Sequence, residues 1–221
     1  MRAKRMNISI LYDNMAREGY RADWGFSCLI DESLLFDTGR DLNILLHNMN
    51  SLGVDFSKIK RVVLSHQHRD HVGGIGILEK LGEVEVFLPS SISKPLKKSI
   101  ERFEGIRVVE VSEPQDITDD VMTLGELGTR IKEQSIVVQT EKGNSLICGC
   151  AHPGLEVIMD NALEYGPLYG VIGGFHDFDR LLALEYSRLI VPCHCTSKKE
   201  EIRTLYKLTS KECAVGKVIE I

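Results

Sequence analysis

The chain has 221 residues, 43% of them hydrophobic and 27% charged, with a formal net charge of -5. That balance suits a soluble globular protein long enough for a proper core, and an acidic chain lacks the basic face that non-specific nucleic-acid binding needs. No apolar run approaches the roughly 20 residues of a membrane helix. The basic start Met1-Arg2-Ala3-Lys4-Arg5 leads into a short apolar stretch stopped by Asp13, the pattern of a first strand and not of a signal peptide. Six cysteines without a signal are expected to be reduced thiols in a cytoplasmic protein.

Strands are expected over 7–12, 26–30 and 33–37, the second and third joined by the tight Asp31-Glu32 turn. Leu42, Leu45, Leu46 and Met49 carry helical spacing over 41–52, with Asp41 as N-cap and Gly53 as the stop. His47 falls mid-helix and reads as a surface or packing residue. A buried strand over 61–65 follows, then a helix over 74–81, a strand over 84–88, a basic-faced helix over 93–103 and a strand over 106–111. The pattern is weakest over 112–134, where an irregular segment facing the substrate is expected. A hairpin over 136–139 and 144–148 turns at Glu141-Lys142-Gly143. Helices over 153–165 (Pro153 in the first turn), 177–186 and 197–208 alternate with strands over 168–173, 188–192 and 215–221. No linker, repeat or low-complexity tract interrupts the pattern, so one domain over 1–221 is expected.

The most informative segment is Ser65-His66-Gln67-His68-Arg69-Asp70-His71-Val72-Gly73-Gly74. Histidines two apart in an extended chain point the same way, so His66 and His68 can grip one cation. Asp70 and His71, where the chain turns toward the glycines, can reach a second cation a few Å away. Three more histidines, His152, His176 and His194, each follow an apolar strand-like run. Side chains at the carboxyl ends of neighbouring strands converge on one rim of an αβ layer. Cys148-Gly149-Cys150 and Cys193-His194-Cys195 have CxC and not CxxC spacing, which favours small core-packing thiols away from the metals over metal ligation.

The HxHxDH segment with single downstream histidines resembles the metallo-β-lactamase superfamily, as do Leu34-Leu35-Phe36-Asp37-Thr38-Gly39 and Ser65-His66. The phrases GCAHPG, GGFH and HCT are similar to a narrower branch, the 7,8-dihydropterin-6-methyl-4-(β-D-ribofuranosyl)aminobenzene 5′-phosphate synthase-like metal-dependent hydrolases. The resemblance implies an α/β, four-layer αββα sandwich with a dinuclear site at the edge of its two central sheets. It implies one metal held by His66, His68 and His152, and another held by Asp70, His71 and His194. Asp37 would be the outer carboxylate that orients a ligand histidine. The superfamily's bridging aspartate has no clear counterpart here, so His152 is either a terminal ligand or its replacement. His176 is either an extra ligand or a proton donor.

Two divalent cations lower the pKa of a water to around 7 and polarise a carbonyl or phosphoryl oxygen. Asp70 would anchor a metal and accept a proton, and His176 would protonate the leaving group. His and Asp ligands favour zinc, with manganese or iron as alternatives. With one carboxylate and one hydroxide against two dications, the surplus charge favours a small anionic substrate, a phosphate ester or diphosphate before a carboxylate. The alternatives are a thioesterase or lactonase of the same superfamily and, from another class, a metal-stabilised sensor or binding module without turnover.

Overall fold

The computed structural model describes residues 5–221, so the expectation for the extreme amino terminus, Met1 to Lys4, lies outside the described residues. The first sheet contains β1 (Asn7–Tyr12), β2 (Ser27–Ile30), β3 (Leu34–Phe36), β4 (Arg61–Val63), β5 (Val84–Pro89), β6 (Ile106–Val111) and β13 (Val218–Glu220). The second contains β7 (Gln115–Thr118), β8 (Val121–Leu127), β9 (Glu133–Thr140), β10 (Gly143–Cys148), β11 (Leu168–Gly174) and β12 (Leu189–Cys193). The first runs in the order β13-β1-β2-β3-β4-β5-β6 and the second β12-β11-β10-β9-β8-β7.

The side-chain period of two explains the layering, because both faces of most strands are apolar. Ile8, Ile10, Cys28, Ile30, Phe36 and Val63 of the first sheet share one core with Ile136, Val138, Ile147, Ile172 and Val191 of the second. Their neighbours in sequence point the other way. Leu29, Leu35, Val62 and Val86 pack under α1 (Leu42–Ser51), α3 (Leu78–Leu81) and α4 (Lys94–Ile100). Val137, Leu146, Val171 and Ile190 pack under α5 (Leu155–Leu163) and α6 (Lys199–Leu205). Helix, sheet, sheet, helix: this is the expected αββα sandwich. Asp41 caps α1 by accepting from the N–H groups of Asn43 and Ile44 at 2.8 and 3.2 Å. The single turn α2 (Arg69–Val72) follows β4 after five residues, 64–68.

Three expectations are corrected. Most of 112–134 is β7 and β8, an antiparallel pair whose outer member β7 is a half-exposed edge strand and so carries little hydrophobic signal; residues 112–114, the turn at 119–120 and residues 128–132 stay irregular. The helix expected from Pro153 begins at Leu155, because Gly154 at φ 99° is outside helical space. The helix expected over 177–186 is one 3-10 turn, Leu181–Leu184. Within that stretch only Phe178 and Leu184 are buried, too little for the apolar stripe a longer helix requires.

Candidate metal centre

Strands β3 and β4 run parallel, as do β10, β11 and β12, and their carboxyl ends meet at one rim. Asp37 follows β3, the His66 to His71 segment follows β4, Cys150 and His152 follow β10, His176 follows β11 and His194 follows β12. Six non-glycine residues among those described have positive φ. Two make the β2–β3 turn, and the other four, Asp37, Ala151, His176 and His194, stand at this rim. Such conformations cost of order 1–3 kcal/mol each and persist where the surrounding structure over-determines them. Two glycines let the segments close. A Cβ at Gly149 would lie 2.2 Å from Ser65 Oγ, and one at Gly73 would lie 2.1 Å from the carbonyl oxygen of Arg40.

The extended backbone through His68 turns both early histidines inward. His66 Nε2 lies 3.0 Å from His68 Nδ1, which lies 3.2 Å from His152 Nε2. Ser65 Oγ meets the other ring nitrogen of His66 at 2.9 Å. Three imidazole nitrogens facing one point at these spacings suit a cation about 2.0–2.1 Å from each. The rings are also held neutral. Burial first, then the neighbouring imidazoles, pushes His66 well below its ordinary value, and the same causes take His152 down to about 4. Burial lowers His68 as well.

A second group, Asp70, His71 and His194, has its ligand atoms within 4.8 Å of one another. Asp70 Oδ2 is 3.1 Å from His194 Nε2 and 3.9 Å from His71 Nε2. Each ring is held from behind. Asp37 accepts from His71 Nδ1 at 2.6 Å and from the Ser65 N–H and hydroxyl at 2.7 Å each. Asn14 Oδ1 is 3.0 Å from His194 Nδ1, while Asp13 accepts from the His194 N–H at 2.6 Å. Both arrangements leave Nε2 toward the centre and free to ligate a metal. Burial pushes His71 down, but the charges and hydrogen bond of Asp37, with Asp70, outweigh it and raise its pKa. Burial works against ionising Asp70, yet the His194 hydrogen bond and the nearby His71 carry its pKa well below the carboxylate range.

The cysteines depart from expectation in part. Cys148 and Cys193 turn into the cores, as expected. Cys150 does not: its Sγ lies 3.0 Å from His71 Nε2. It belongs to one cluster with His66 and His71 and to another with His194 and Cys195, all within 4.8 Å. Cys150 therefore stands between the two histidine groups, and His152 stands outside with His66 and His68. His176 joins neither group; its ring is 5.0 Å from that of His152, and its Nδ1 is 3.1 Å from Asp177.

Sequence reading missed four further residues. Glu133 is fully buried and accepts the N–H groups of Gly149, Cys150, Ala151 and His152 at 2.9–3.0 Å, fixing the loop that carries Cys150 and His152. Nothing in its strand-like setting signals that. Asp13 and Asn14 also support His194, and their only sequence signal is a polar pair ending an apolar strand. Trp24, the sole tryptophan, is 50% exposed and donates its indole N–H to Asp70 Oδ2 at 2.9 Å, with its ring edge-on to His194.

A donor set of imidazoles, one carboxylate and one or two thiols fits borderline divalent cations such as zinc or iron. Hard-ligand sites for magnesium or calcium are built from oxygens and do not look like this.

Comparison with known proteins agrees. The metallo-beta-lactamase superfamily model matches residues 27–194. The 7,8-dihydropterin-6-methyl-4-(beta-D-ribofuranosyl)-aminobenzene-5'-phosphate synthase of Methanocaldococcus jannaschii is 26% identical over 251 aligned residues, 86% of this chain and 85% of its own. The crystal structure of Tm1679, described as a metal-dependent hydrolase of the beta-lactamase superfamily, superposes with a TM-score of 0.81 at 26% identity, covering 98% of this chain and 99% of its own. Zn(2+)-bound PqqB from Methylobacterium extorquens shares the fold, with a TM-score of 0.67 at 11% identity over 97% of this chain and 100% of its own. The chain belongs to the metallo-beta-lactamase superfamily.

Proposed function

We propose that this protein is a metal-dependent enzyme of hydrolase type that holds two divalent cations, zinc first among the candidates, and acts on a small anionic substrate carrying phosphate or diphosphate. The observation that carries this reading is the pair of inward-facing ligand groups on one rim, His66, His68 and His152 beside Asp70, His71 and His194, with Cys150 between them. Cys150, clustered with His66 and His71 and with His194, would fill the place for which the superfamily uses an aspartate, and His152 would then hold one cation with His66 and His68. Bound there, the cations supply Lewis acidity and a water acidic enough to ionise near neutral pH.

The chain's own residues do the rest. Asp37 and Asn14 hold the His71 and His194 rings in the tautomer that presents Nε2. Trp24 donates to Asp70 Oδ2 beside His194, which orients that ionised carboxylate toward the centre as a ligand and a hydrogen-bond acceptor. His176, half-exposed beside His152, is placed to protonate a leaving group. A Cys150 thiolate removes one positive charge from the expected surplus, but two dications against one carboxylate, one thiolate and one hydroxide remain net positive. An anion is still favoured. The M. jannaschii relative, named for a phosphate ester, supports the same substrate class.

Elemental analysis of protein purified without chelator should find close to two transition metals per chain; one or none in metal-replete protein sinks the dinuclear reading. Asp70→Ala should abolish turnover of phosphate-ester substrates and leave the fold intact, since Asp70 lies at the rim and not in a core. Inorganic phosphate or pyrophosphate should compete at millimolar levels. Efficient turnover of a neutral thioester or lactone without that competition would overturn the substrate assignment.

A further inference from the structure

Two clefts adjoin the centre and share no lining residue. The smaller, about 260 Å³, touches His66 and His68 and is walled by Pro89, Ile92 and Ile131, with Arg130 and Lys132 on it. The larger, about 540 Å³, touches His152 and His176 and is bordered by Glu156, Asp177, Asp179 and Arg180. Their charges are opposite. No carboxylate lines the smaller cleft. In the larger, Arg180 lies 3.4 Å from Glu156 and Asp177 lies 3.1 Å from His176 Nδ1, which leaves Asp179 as the surplus negative charge.

Within the smaller cleft the two cations are not equivalent. Lys132 Nζ is 3.1 Å from Glu126 Oε2, so its charge is answered inside the protein. Arg130 is exposed and has no ion pair among the described residues. The walls around it are pinned: Glu126 also accepts the N–H of Ser91, and Gln67 accepts that of Ser93 at 3.0 Å. A fixed slot with apolar walls at Pro89, Ile92 and Ile131, and with Gln67, Ser91 and Thr129 also lining it, begins at two candidate metal ligands and carries a free guanidinium, which suits an organic spacer with an oxyanion on it. A guanidinium binds such a group through two parallel N–H bonds, which gives direction as well as attraction.

We propose that Arg130 binds a second anionic group of the substrate, a carboxylate or a further phosphate, held on an apolar or aromatic spacer away from the reacting anion. This deepens the proposed function and rests on its reading that an anion binds at the metals. The substrate is then polarised across the site, with its anionic tail in the Arg130 cleft and its hydrogen-bond-donating or cationic end toward Asp179.

The test uses zinc-loaded full-length protein and four probes: phenylphosphonate, (4-carboxyphenyl)phosphonate, 6-phosphonohexanoate and (4-aminomethylphenyl)phosphonate, with dissociation constants from calorimetry. At least one carboxylated probe should bind about tenfold tighter than phenylphosphonate, as a charge-assisted bidentate contact allows. Arg130→Ala should erase that gain and leave phenylphosphonate within about twofold, while Arg130→Glu should prefer the aminomethyl probe. A gain that is absent, or that survives Arg130→Ala, overturns the role of Arg130 alone. Phenylphosphonate that fails to bind wild-type protein overturns the anion-at-metal reading and this proposal with it.

Discussion

Cys150 changes the chemistry of the centre more than any other single residue. A thiol 3.0 Å from an imidazole nitrogen, and clustered with ligand atoms on both sides, is placed to become a thiolate when a dication arrives. Cys195 shares a hydrogen bond with it, and that contact raises Cys150 while lowering Cys195. Cobalt-substituted protein should therefore show intense near-ultraviolet thiolate-to-metal absorption. Cys150→Ser should lose that band and weaken one metal by on the order of a hundredfold or more, beyond what an outer-shell partner costs. A cobalt spectrum that is identical in wild type and Cys150→Ser would remove Cys150 from the ligand set. The sequence hides this residue for a physical reason. In a CxC at a strand end, one thiol continues the strand's buried face and the next but one follows the turn. Cys148 still packs in the core, whereas Cys150 lies past the Gly149 contact with Ser65, which brings the second sheet's loop onto the first sheet's site. The HxHxDH histidines were legible because their geometry is local, within six residues.

At the scale of elements, the rim is held by one buried carboxylate. Glu133, at the start of β9, accepts four consecutive backbone N–H groups from the loop after β10. Removing the acceptor leaves buried donors unpaired, at about 1–3 kcal/mol each before relaxation. Glu133→Ala should lower unfolding free energy by roughly 3–5 kcal/mol and reduce metal retention. Glu133→Gln, which keeps one acceptor oxygen, should cost less. Urea unfolding of both variants with parallel metal analysis checks this, and a Glu133→Ala midpoint equal to wild type would contradict it. That role was invisible in the sequence, since it joins residues 16 to 19 positions apart across a hairpin and no periodicity encodes such a contact. Continuous apolar runs, by contrast, exposed nearly every central strand, because Ile136, Val137 and Val138 face two different cores. That signal failed at β7 and β8, where a polar edge strand and a register shift between Thr123 and Glu126 interrupt the apolar run.

For the whole molecule, the centre lies on the seam between the two sheets. The first supplies Asp37 and the His66 to His71 segment, and the second supplies Cys150, His152 and His194. Packing the sheets therefore brings five imidazoles together, which couples stability of the metal-free protein to pH. Burial holds His66, His68, His152 and His194 below the ordinary histidine value, His152 at about 4. As pH falls through about 6.5, the unfolded chain takes up protons on these groups that the folded chain refuses, so stability falls from there toward pH 4. His71 acts in the opposite sense. Burial lowers it, but Asp37 raises it further, so its contribution is present below about 6.5 and lost as pH rises. Asp70, lowered despite its burial by His194 and His71, adds stability that is lost only as pH falls below the carboxylate range. Burial also raises the carboxyls of Glu133 and Asp13, which act with His71, and against these three the proton uptake of the four lowered imidazoles in the unfolded chain sets the expected sign. The urea midpoint of chelator-treated protein should fall steadily from pH 7 to pH 4.5, and a midpoint that stays level or rises would refute the burial-driven shifts. Zinc-loaded protein should unfold at higher urea at pH 7, because ligand bound only to the native state stabilises it by mass action. That advantage should shrink toward pH 4.5, where protons compete for the same ring nitrogens.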